Sequence, residues 1–185
     1  MYKRQGRFLY VASGVTQGKL EGDPSATVEI FDLEQGRWLA APDLPTPRHH
    51  SGAAVLDGKL YVAGGRRPGD FSLDAFERFD PDHNEWEALP PIPQGTGGPA
   101  VVATDEEVLV IGGGDDMGEG ERGPWVTRAA WAFDPDQERW RRLPNLHVAR
   151  HGHAAAVSGD RVYVFSGSPC PGYGMTSSVE SLRVR

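Results

Sequence analysis

The chain has 185 residues and a formal charge of −7, with 24 glycines and 15 prolines. That load interrupts helices too often for a helical core, while 38% hydrophobic content suffices for a folded domain built of short strands. A nucleic-acid groove needs clustered cations, but the lysines are Lys3, Lys19 and Lys59 and the arginines are scattered, so nucleic acid is not an expected partner. No apolar run approaches the ~18 residues of a membrane span, and the single cysteine, Cys170, excludes an internal disulfide and a cysteine-based zinc cluster.

From its start the chain goes directly through Met1-Tyr2-Lys3-Arg4-Gln5-Gly6-Arg7 into a strand-like run at Phe8. No secretory apolar segment is visible there, so the sequence as written reads as cytoplasmic, or as secreted if residues precede Met1. The run Tyr10-Val11-Ala12-Ser13-Gly14 returns, without gaps, as Tyr61-Val62-Ala63-Gly64-Gly65, Leu109-Val110-Ile111-Gly112-Gly113 and Tyr163-Val164-Phe165-Ser166-Gly167 at intervals of about 50 residues. An apolar run closing on small residues predicts a buried strand whose end turns sharply or meets another backbone closely. Further along each interval, Phe31, Phe79 and Phe133 are followed by Asp32, Asp80 and Asp134, and seven positions after each Phe comes Trp38, Trp86 or Trp140. Val28-Glu29-Ile30-Phe31 and Phe76-Glu77-Arg78-Phe79 alternate with period two, predicting a strand, an aspartate-centred turn and a second strand carrying the indole. Ala53-Ala54-Val55-Leu56, Ala100-Val101-Val102-Ala103 and Ala154-Ala155-Ala156-Val157 precede three of the glycine-ending runs. Asp57-Gly58 and Gly159-Asp160 supply two-residue hairpin turns, and Thr104-Asp105-Glu106-Glu107 takes the same place in the third copy.

One unit therefore has four antiparallel strands, A to D: a small apolar strand, a strand ending in glycine, a strand ending in Phe-Asp and a strand bearing Trp. Residues 6–45, 46–92, 93–146 and 147–185 delimit four such units in one domain. The glycine doublet followed by an aromatic and then a tryptophan, at this period, resembles the kelch family of galactose oxidase-like propellers. The resemblance implies an all-β fold, a partial β-propeller of about 3.5 blades. The first unit is expected to lack strand A, because nothing like it precedes Phe8, and the last to lack strand D, because no tryptophan follows Val184. Kelch propellers have six or seven blades, so a fragment of a longer ring, self-association to complete it, or closure of four blades alone are all open. A partial propeller, with dimeric closure, is the expectation.

Strand polarity places the B–C and D–A loops on one rim and the tight A–B and C–D turns on the other. The first rim carries the long loops 15–26, 66–74, 114–128 and 168–178, and binding residues concentrate on such loops. In kelch-like propellers strand A is innermost, so residues at its start ring the channel. The alignment puts Arg48, Gln94 and Arg150 in one ring and His49, Gly95 and His151 in the next, with His50 and His153 just beyond. These residues, with Arg66, Arg67 and Trp125, are the candidate partner face. The arginines either satisfy backbone carbonyls between blades, as the resemblance implies, or fork onto an anion. No carboxylate accompanies the histidines, so no metal and no other cofactor is expected. The acidic Gly114–Glu121 stretch lacks the spacing of a calcium loop.

The expected function is a protein-interaction or scaffolding module rather than an enzyme. The alternative is a carbohydrate-active propeller resembling the sialic acid mutarotases, with a small sugar as ligand. Galactose oxidase chemistry needs a copper site with a cysteine–tyrosine crosslink, and only Cys170 and the nearby Tyr173 hint at one.

Overall fold

In the computed structural model, residues 2–16, 23–115, 125–172 and 174–184 are described, and among them there is no helix, hence none long and apolar enough to cross a membrane. The Asp116–Glu121 part of the acidic loop and Tyr173 lie outside the described residues.

Four meandering antiparallel sheets follow one another along the chain. The first joins β1 (Tyr2–Gln5), β2 (Phe8–Val15), β3 (Pro24–Asp32) and β4 (Arg37–Ala40) in sequence order. The second joins β5 (Gly52–Leu56), β6 (Lys59–Ala63), β7 (Phe76–Asp80) and β8 (Glu85–Ala88). In the third, β9 (Ala100–Ala103) and β10 (Val108–Ile111) are followed by a two-stranded ribbon, β11 (Gly114–Asp115) with β12 (Trp125–Val126), before β13 (Ala130–Asp134) and β14 (Arg139–Arg142) complete the sheet. The fourth holds three strands, β15 (Ala154–Ser158), β16 (Arg161–Phe165) and β17 (Val179–Arg183).

The first sheet corrects the expectation that strand A is missing there. Tyr2–Gln5 pairs with β2 from Tyr2↔Val11 to Gln5↔Phe8, and Gly6, at φ 50°, helps close the two-residue turn. The segment has none of the small apolar residues that mark strand A elsewhere. A backbone ladder needs only amides and carbonyls, so a polar sequence serves once the adjoining turn closes.

Each turn uses its aspartate as predicted. Asp32 Oδ1 accepts the amides of Glu34 and Gln35 at 3.0 and 3.1 Å. Asp80 does so for Asp82 and His83, and Asp134 for Asp136 and Gln137. The following strand then sets each tryptophan against its phenylalanine, with centroids 5.0, 5.2 and 5.0 Å apart for Phe31–Trp38, Phe79–Trp86 and Phe133–Trp140.

The core is divided into three layers, one at each junction between successive sheets. Tyr10, Ala12, Val28 and Leu44 meet Leu60, Val62 and Phe79; Tyr61, Ala63 and Phe76 meet Val108, Val110 and Phe133; Leu109, Ile111 and Ala132 meet Val162 and Val164. Successive residues of a strand point to opposite faces, so each inner sheet feeds two layers. Trp86 and Trp140 reach back over their junction, their Nε1 atoms donating at 2.9 Å to the carbonyls of Pro42 and Pro90. The innermost strands β1, β5, β9 and β15 lie beside one another. In the second, third and fourth sheets the second doublet glycine has no room for a side chain: a Cβ on Gly113, at φ 91°, would lie 2.1 Å from Thr96 Oγ1.

Candidate functional site

The inner rim is built where each D–A loop enters strand A. His49 bridges to Arg66, Gly97 to Gly114 and His151 to Ser168, so these three pairs occupy equivalent places. The residues just before them, Arg48, Thr96 and Arg150, each offer their carbonyl to the last doublet glycine of the preceding unit: Gly14, Gly65 and Gly113 donate at 3.2, 2.8 and 2.8 Å. The alignment of Gln94 with Arg48 and Arg150, and of Gly95 with His49 and His151, is therefore two residues out. Thr96 and Gly97 hold those places, and Gln94, half-buried, sits earlier in the loop. The proline-rich stretch Pro90-Pro91-Ile92-Pro93 hides the register, yet the slot falls ten residues after each tryptophan in all three copies.

Both arginines are wholly buried and committed to their own sheets. Arg48 Nη1 donates to Glu77 Oε2 at 2.6 Å and to the Thr46 carbonyl at 3.1 Å, while Nη2 reaches the Val62 carbonyl at 3.1 Å. Desolvation lowers the Arg48 guanidinium from its ordinary value, and the charge and hydrogen bond of Glu77 act the other way. Arg150 donates to the carbonyls of Ser166 (2.8 Å) and Ser178 (3.1 Å) and pairs with Glu180. Glu180 also accepts the amides of His147 and Val148 at 2.6 and 3.1 Å. Burial would raise the Glu180 carboxyl, but those amides and Arg150 outweigh it and hold it below its ordinary value. Glu77 and Glu180, which sequence reasoning did not single out, sit at the same position of strand C, opposite Val62 and Val164.

The other candidates fall into three settings. His49 is buried, with its Nδ1 2.5 Å from that of the exposed His50; His151 Nε2 lies 3.2 Å from the Cys170 carbonyl. Arg66 is 5% exposed and lies across the next unit, its Nε 3.0 Å from where a Cβ on Gly97 would stand, so glycine there makes room for it. These residues line the inner rim around the backbone relay in which Gly98 donates to the His50 carbonyl and Gly152 to the Gly98 carbonyl, at 2.7 and 2.9 Å. His153 packs between Gly112 and Gly167 at the third junction. Burial, then the charges of Arg150 and His151, push its imidazole down to about 4. Further out, Arg67 is exposed opposite Asp70, and Trp125 is half-buried in the ribbon against Asp115. Among the described residues no three His, Cys, Asp or Glu side chains are grouped to hold a metal.

Against known proteins, residues 1–167 match the family described as the KLHDC2/KLHL20/DRC7 Kelch-repeats domain. The chain belongs to the kelch-repeat family. It is 28% identical to alpha-scruin of Limulus polyphemus over 183 residues, 96% of this chain and 20% of that protein. It is 35% identical to Kelch domain-containing protein 8B of Mus musculus over 182 residues, 91% of this chain and 48% of that protein. This kelch domain thus spans half or less of the length of these curated relatives. The solved structure titled "Structure of YjhT" superposes with a TM-score of 0.80 at 19% identity, over 99% of this chain and 61% of that one, a likeness of fold.

Proposed function

We propose that this kelch domain is a protein-interaction module whose partner surface is the rim formed by the B–C and D–A loops. The observation that carries the reading is the state of the two channel arginines. A domain that recognised a small anionic sugar through Arg48 and Arg150 would leave their forks open, whereas both are spent on Glu77, Glu180 and backbone carbonyls. Of the candidate residues on that rim, the exposed His50 and Arg67 and the half-buried Trp125 and His151 remain accessible, spread over several loops. A wide, shallow set of polar and aromatic contacts on a rigid scaffold suits a protein surface.

The test is a binding comparison from lysate of the source cells, quantified by mass spectrometry. His50→Ala, Arg67→Glu and Trp125→Ala should each weaken capture of a saturable partner about tenfold, while Gln137→Ala on the opposite rim leaves it unchanged. Equal capture by all four variants, or saturable binding to a glycan array lost on His50→Ala, would overturn the reading.

A further inference from the structure

The three junctions between successive sheets share a seat whose occupant differs. Ser51, Pro99 and His153 each follow by two residues the bridging residue His49, Gly97 or His151. Each faces the first residue of the glycine pair on the sheet before it. At the first junction Ser51 Oγ lies 3.0 Å from Ser13 Oγ. At the second, the Pro99 ring comes within 3.3 Å of where a Cβ on Gly64 would stand. At the third, the same point on Gly112 lies 2.7 Å from His153 Cε1, so there is no space for even a methyl group beside the imidazole. Of the three occupants only His153 can take up a proton.

Both ring nitrogens of His153 are shut off from solvent, with no hydrogen-bond partner of ordinary geometry among the described residues. Arg150 and His151, on its own segment, bring charge of the wrong sign, and Glu180 of the same sheet is committed to Arg150. The strand ends packed against the ring, Ile111-Gly112 of the third sheet and Gly167 of the fourth, bring no titratable side chain. The Ile111 carbonyl favours the charged ring but is outweighed by burial and by the two neighbouring cations. A neutral imidazole fits this seat; a charged one has neither counter-ion nor water there. We propose that His153 is an acid-operated latch, whose protonation parts the fourth sheet from the third while the junctions seated on Ser51 and Pro99 stay closed. Trp125 stands on the third sheet's ribbon and His151 on the fourth sheet, so the latch also decides whether the partner rim stays whole. That consequence rests on the partner reading above, whereas the parting itself is measured without any partner.

Amide hydrogen exchange of the full chain, followed residue by residue by NMR, tests this. Across the third junction Gly113 donates to the Arg150 carbonyl and Gly152 to that of Gly98; across the second, Gly65 donates to Thr96 and Gly98 to His50. The ring is pushed down to about 4 in the closed junction and returns to an ordinary 6.5 in the open one. The open population should therefore rise about twentyfold from pH 7 to pH 5. Corrected for intrinsic rates, the protection of Gly113 and Gly152 should fall by that factor, and at pH 5 both should exchange ahead of Gly65 and Gly98. In His153→Ser, which repeats the side chain of the first junction, the same two amides should hold their protection within about twofold, since no group there titrates. Protection that persists at pH 5 in the unaltered protein, a common fall that leaves all four amides exchanging together, or an equal fall in His153→Ser would each overturn the proposal.

Discussion

In the second sheet the D–A loop is fastened by a buried ion pair: Arg48 ties the carbonyls of Thr46 and Val62 to the carboxylate of Glu77, whose other oxygen accepts from Thr46 Oγ1 at 2.6 Å. In the third sheet the same slot holds Thr96, whose hydroxyl donates to the Gly112 carbonyl at 3.0 Å, and the position of Glu77 is taken by Trp131, with the Arg142 guanidinium 4.4 Å over its ring. The backbone bridges around the slot are the same in both. The contrast separates what the fold requires, a donor for a carbonyl near the end of strand B, from how the donor is supported. A buried charge demands its partner; a hydroxyl does not. The fourth sheet returns to the ionic solution with Arg150 and Glu180, so arginine in the slot goes with glutamate on strand C and threonine with an aromatic.

The largest break in this comparison comes from orphaning the charge. Glu77→Ala should destabilise the domain by about 3–5 kcal/mol, because Arg48 remains buried without its counter-ion. Arg48→Met with Glu77→Leu, which removes both charges, should cost less than that single change. Urea unfolding checks both, and a double variant weaker than Glu77→Ala would refute the assignment. The second test uses acid. His153 fills the place that Ser51 occupies at the first junction, beside Ser13, and its imidazole is pushed down to about 4 in the fold against an ordinary 6.5, so the unfolded chain binds its proton first. The stability it contributes is complete above 6.5 and declines as pH falls toward 4, by about 3 kcal/mol. His153→Ser should flatten that slope in thermal melts taken from pH 7 to pH 4; an unchanged slope would move the acid sensitivity elsewhere. The smallest effect is expected at the neutral slot. Thr96→Val keeps the shape and removes the donor to Gly112, at a cost of about 1–2 kcal/mol in the same urea assay. A loss as large as that for Glu77→Ala would mean that the hydroxyl and ionic slots carry equal weight.

Much of this architecture is written locally. The period-two strands, the aspartate that caps its own turn and the Phe–Trp pair all act within about ten residues, so their signals survive in a single sequence. Two features escaped because their partners are distant or unspecific. Tyr2–Gln5 becomes a strand through backbone pairing with β2 rather than through its polar side chains. Glu77 and Glu180 look like ordinary solvent-facing members of alternating strands until the fold brings Arg48 and Arg150 onto them from about 30 residues away. The candidate rim was legible as a set of loops, but the division between structural and accessible arginines was not, since Arg48, Arg66 and Arg67 differ only in what packs over them.

The inner relay, in which Gly152 donates to Gly98 and Gly98 to His50, runs one way around the axis. His50, Gly98 and Gly152 all hold left-handed backbone angles, at φ 53°, 66° and 58°, which turn the amide of each later unit toward the carbonyl of the one before. Amides in such loops would ordinarily trade their protons with solvent quickly, but these two are clamped between neighbouring sheets. Their isotope exchange therefore reports the parting of whole sheets and not the fraying of any strand.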